Sequence, residues 1–99
     1  MKHLDRGDKV MKAIVTVVGK DKKGIIARVS TVLYESGVNI ADISQTIMGD
    51  MFTMIMMVEF DGGEISVQDI SDRLAAVEKE LGLSIHVQRE EIFTSMHRI

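Results

Sequence analysis

The sequence predicts an α+β domain in which four antiparallel strands and two helices follow the order β-α-β-β-α-β. Three observations carry that prediction. Two segments repeat apolar residues at helical spacing, and each is closed by a glycine. Two others alternate apolar and polar residues as edge strands do, and the last two are apolar on both faces, as covered central strands are. At 99 residues the chain has room for one modest core.

The first strand is read from Ala13-Ile14-Val15-Thr16-Val17-Val18, a β-branched run. The loop Gly19-Lys20-Asp21-Lys22-Lys23-Gly24 follows, and then Ile25, Ile26, Val29, Val32 and Leu33 recur as a helical stripe from about Gly24 to Ser36. Gly37 stands where a left-handed cap is favoured. Residues 39–47 alternate, with Ile43 and Ile47 on one face and Asp42, Ser44 and Thr46 on the other. Gly49-Asp50 signals a tight turn into a third strand over 51–60. Asp61-Gly62-Gly63 breaks that strand. Ser66 is placed to cap the second helix, with Asp69 three residues on in a capping box. Val67, Ile70, Leu74, Val77 and Leu81 form its stripe, and Gly82 ends it. Leu83 to Arg89 alternates as the last strand. This is the split β-α-β, ferredoxin-like arrangement, with sheet order 4-1-3-2 and both helices on one face.

The expected organisation is a flexible extension over 1–10, a domain over 11–91 and a tail over 92–99. Ile92, Phe93 and Met96 fit a short helical turn within that tail. The third strand carries Phe52, Met54, Met56, Val58 and Phe60 on one side and Met51, Ile55 and Met57 on the other, and because two helices cover one face only, one of these sets is left in water. A patch of that kind predicts a partner surface, and self-association is the expected resolution.

Composition narrows the chemistry. The chain has no cysteine, which removes disulfides, thiolate metal sites and cysteine nucleophiles. Its net charge of −3 speaks against a nucleic-acid surface. No apolar run reaches the length of a membrane span, and residues 1–10 lack the apolar stretch of a signal peptide, so the cytoplasm is the expected compartment. No nucleophile–base arrangement or carboxylate pair can be placed, so no enzyme activity, cofactor or metal is expected. His3, His86 and His97 are scattered, and the methionines at 48, 51, 54, 56 and 57 are read as core packing.

The loop Gly19 to Gly24 is the strongest functional candidate. A glycine-bounded turn entering a helix gathers backbone N–H groups and partial positive charge at one spot, which suits a small anion or a carboxylate. Ile25 and Ile26 stand where a phosphate-binding loop needs Lys and Ser or Thr, which argues against nucleotide. Two readings of the glycines stay open, a turn needing their backbone freedom or a close ligand approach. Asp21 has two as well: it caps the helix or receives an ammonium group. The loop lysines are read chiefly as solvating groups.

The stretch Lys12 to Ile47 resembles the ACT domain, above all in Val18-Gly19-Lys20-Asp21-Lys22-Lys23-Gly24-Ile25-Ile26 and Gly37-Val38-Asn39-Ile40. Asp42-Ile43-Ser44-Gln45-Thr46 together with Phe52-Thr53-Met54 is similar to small stand-alone ACT proteins related to glycine-cleavage regulators. The likeness spans nearly everything from Met11 onward. It implies a non-catalytic regulatory module that binds a small ligand, often an amino acid, between domains. The ligand-binding positions it implies are Gly19, Asp21, Lys23, Gly24, Ile25, Ile26, Asn39 and Ile40. Lys23 departs from the proline common before the loop glycine, and Gly19 stands where some serine binders carry a histidine.

A helix of about 12 residues separates Gly24 from Asn39 by roughly 18 Å, so one chain cannot close both on an amino acid. The expected site is therefore shared across a homodimer or a higher homo-oligomer. Helix-start N–H groups take the carboxylate, and Asp21 with the partner's Asn39 takes the amine. The alternative is a protein-interaction module that docks its apolar sheet face on an enzyme or transcription regulator, without a small ligand.

Overall fold

A computed structural model describes residues 10–96, with side chains through residue 94. Its elements are β1 (Val10–Lys20), α1 (Ile25–Glu35), β2 (Asn39–Met48), β3 (Met51–Asp61), α2 (Val67–Leu81), β4 (Ser84–Arg89) and α3 (Glu90–Met96). The strands form one antiparallel sheet ordered β2-β3-β1-β4, which is the expected 4-1-3-2 order read from the other edge.

The punctuation works as its chemistry dictates. Ser66 accepts a hydrogen bond from the Asp69 N–H while the Asp69 carboxylate accepts from the Ser66 N–H, both at 3.0 Å, so the capping box is complete. Two of the four orphan amides at that helix start are thereby satisfied. Gly82 closes α2 at φ 65°, a left-handed conformation that side chains resist.

The core lies between the sheet and the pair α1–α2. Ala13, Val15 and Val17 of β1 and Phe52, Met54, Met56, Val58 and Phe60 of β3 meet Val29 and Leu33 of α1 and Ile70, Leu74 and Val77 of α2. Every other residue of β1 and β3 points there because strand side chains alternate. No polar or charged residue is buried among those described.

Three details depart from the sequence reading. Val10, placed in the extension, already pairs with Asp61 in β1; residues 1–9 lie outside the described residues, as do His3 and His97. The last helix starts at Glu90, directly after β4, and packs against β1 and β4. Ile14 is buried although it points away from α1 and α2, so α3 covers that part of the second face. Finally, the methionines divide. Met54 and Met56 are core, Met57 is half-buried, and Met48 and Met51 are exposed where they flank the turn. Pairing opposite each other across that hairpin places both on the face without long helices.

Candidate ligand site

The β1–α1 loop is held by its backbone. The Asp21 N–H donates to the Asp50 carbonyl at 2.8 Å, which ties the loop to the tip of the β2–β3 hairpin. Gly24 takes φ 84° to turn the chain into α1. A left-handed φ at this position favours glycine, and an added Cβ would meet nothing within 4 Å, so conformation rather than crowding selects it. The Arg28 N–H donates to the Gly24 carbonyl at 2.8 Å, the first helical bond of α1. The amides of Ile25, Ile26 and Ala27 precede it and have no acceptor one turn back within the helix. No side chain caps this end. Asp21 therefore does not act as the helix cap.

A cleft of about 580 Å³ opens where this helix start meets β2. Asp21, Lys22 and Gly24 form its loop end. Ile26, Ala27 and Ser30 of α1 form one wall, with Ile25 behind them. Gln45 and Ile47 of β2 and Phe52 of β3 form the other. Gln45 and Ile47 face the cleft because they pair with Met54 and Phe52, whose side chains lie on the helix side of the sheet. Lys22 also reaches the carbonyl end of α2: its Nζ lies 3.7 Å from where a Cβ on Gly82 would sit. A cation there is favoured by the helix dipole.

Of the eight positions singled out in the sequence, Asp21, Gly24, Ile25 and Ile26 meet at this cleft. The other four do not line it. Gly19 pairs with Phe52 in the sheet, and a Cβ there would lie 2.7 Å from Leu83 Cδ2, the movable end of a side chain. Lys23 is exposed beside the cleft. Ile40 is half-buried against the core. Asn39 stands at the far end of α1 opposite Glu59, on the sheet face away from the helices. The cleft residues absent from the sequence reading of the site are Lys22, Ala27, Ser30, Gln45, Ile47 and Phe52. Spacing along α1 flags Ser30, one turn after Ile26; the two β2 residues and Phe52 depend on strand register.

The two sheet edges differ. On β4, the Ile85 N–H donates to Glu78 Oε2 at 2.8 Å, so a side chain of α2 engages one amide of that edge. β2 is exposed over nearly its whole length. Along the same side stand Ile26 at 38%, Tyr34 at 82%, Ile43 at 42% and Ile47 at 52% exposure. On α1, Ile26, Ser30 and Tyr34 follow at intervals of four and share one stripe. Ion pairing elsewhere is superficial. Arg28 and Glu80 join α1 to α2 at 2.6 Å, and this hydrogen bond holds the Glu80 carboxyl below its usual range.

A split β-α-β sheet with an uncapped helix start facing a cleft at its open edge is the frame of a small regulatory, ligand-sensing module. The chain belongs to the ACT domain family, whose model matches residues 12–88. A UPF0237 protein of Clostridium acetobutylicum is 52% identical over 89 residues, spanning 90% of this chain and 100% of its own. The solved ACT domain protein from Streptococcus pneumoniae is 42% identical with a TM-score of 0.72, over 84% of this chain and 93% of that one. A solved protein assigned as a glycine cleavage system transcriptional repressor shares the fold, with a TM-score of 0.72 and 22% identity over 81% of this chain and 46% of that one. No helix among the described residues is long and apolar enough to cross a membrane.

Proposed function

We propose that this protein is a non-catalytic sensor that binds an amino acid in the α1–β2 cleft, at a site completed by a second copy of the chain. The observation that carries this reading is the meeting of opposite polarities at the loop end of the cleft. The first amides of α1 suit a carboxylate, and Asp21 suits an ammonium group. An α-amino acid carries both on adjacent atoms.

The open edge suggests how the second copy joins. Antiparallel pairing of β2 with its twin, about a two-fold axis at Ser44, keeps like faces together and sets Ile43 opposite the partner's Gln45. With the β-bulge at residue 41 absorbed, Ile47 then faces the partner's Ile40 at the mouth of the cleft. Strands so paired lie about 4.8 Å apart, close enough to wall the site. Asn39 falls opposite the partner's Met48 on the other face and takes no part.

A screen of single amino acids by thermal shift and by dimer fraction tests this. Binding raises both, because a ligand held between two chains stabilises the pair by mass action. Asp21→Ala abolishes the response and Asn39→Ala leaves it intact. A screen in which no amino acid moves either quantity defeats the proposal. It would favour the docking reading, which draws on the exposed Met51 and Ile55 on the uncovered sheet face.

A further inference from the structure

We infer that the cleft selects amino acids with an uncharged, apolar side chain, an inference that rests on reading the cleft as an amino-acid site. The lining is divided along its length. Its charged groups, Asp21 and Lys22, sit together at the loop end. Beyond them the walls carry no charge: Ile26, Ala27 and Ser30 on α1 face Gln45, Ile47 and Phe52 on the sheet. A ligand whose carboxylate and ammonium meet the loop end can lay its side chain along these walls.

Physical chemistry then sorts the candidates. From Gly24 to Ser30 the helix rises about 9 Å, which accommodates a side chain of several carbons. A charged terminus placed there would lose hydration without gaining a partner. Glycine or serine would leave the side chains of Ile26 and Ile47 in water, although both stand well exposed at the cleft mouth. An aliphatic or aromatic side chain would cover them.

Isothermal titration of the full chain with glycine, alanine, 2-aminobutyrate, norvaline and norleucine, alongside serine, lysine and aspartate, tests the inference. Each added methylene should lower Kd about three- to four-fold, the transfer value for a buried CH₂. Ile47→Gln, which makes one wall polar, should flatten that series, and the dimer fraction measured on the same samples separates loss of the wall from loss of pairing. If serine, glycine or a charged amino acid binds as tightly as norleucine, the side-chain assignment is overturned and the amino-acid site survives. If the slope persists in Ile47→Gln, the apolar wall lies elsewhere and the assignment is likewise overturned. If no member binds, the underlying site fails with it.

Discussion

Replacing Ile43 with serine should weaken self-association without harming the fold. Ile43 lies on the helix side of β2, pairs with Met56 and is 42% exposed in the single chain. Fully burying such a side chain contributes about 1.5–3 kcal/mol, so covering the remaining 42% contributes about 0.6–1.3 kcal/mol. A two-fold interface uses the residue twice, which doubles the loss to about 1.3–2.5 kcal/mol. The dimer dissociation constant should then rise about ten- to seventy-fold. Sedimentation velocity over a concentration series measures this directly, and circular dichroism confirms that the monomer stays folded. An unchanged dissociation constant in Ile43→Ser would refute association through this edge, as would a wild-type chain that is monomeric at every concentration.

Other expectations concern the frame. Gly24→Ala should cost about 1–2 kcal/mol in urea unfolding through left-handed strain alone, since no neighbour crowds the new methyl. Met54→Ala, at 0% exposure, should cost about 2–5 kcal/mol, whereas Met48→Ala, at 73%, should fall within about 0.5 kcal/mol of the wild type. Ser66→Ala should cost about 1 kcal/mol by removing the cap of α2. The Asp69 carboxyl is held below its usual range, first by the hydrogen bond from the Ser66 backbone, and Glu80 is held down by Arg28. Both are depressed in the folded state, so their stabilisation is present above the ordinary carboxylate pKa and lost as pH falls through the lowered values. Thermal stability should therefore decline below about pH 4, and Asp69→Asn should shallow that decline.

What the sequence revealed was whatever depends on near neighbours. The Ser66–Asp69 box, the Gly82 stop, the Gly49-Asp50 turn and the alternation of β2 each lie within a few residues, and each has one inexpensive backbone solution. Loop residues Asp21 to Ile26 were legible as a candidate site for the same reason. Gln45, Ile47 and Phe52 were not, because their place beside α1 depends on the register of β2 on β3 and on the bulge at residue 41. Nor could sequence alone show that Gly19 lies beside Leu83, 64 residues away. The facing of Asn39 depends on pairing in the same way. Its position at the start of β2 was read correctly, but only the pairing with Glu59 reveals which way it faces.

The Glu78 carboxylate on the Ile85 amide bears on growth. A sheet with two free borders can add copies at either side without end, which is how filaments begin. Here one amide of the β4 border is already engaged by the chain's own acid group, which makes that border a poorer template for strand pairing than β2. If copies pair through β2 as proposed, each is left with only the less receptive border, which would disfavour growth beyond two.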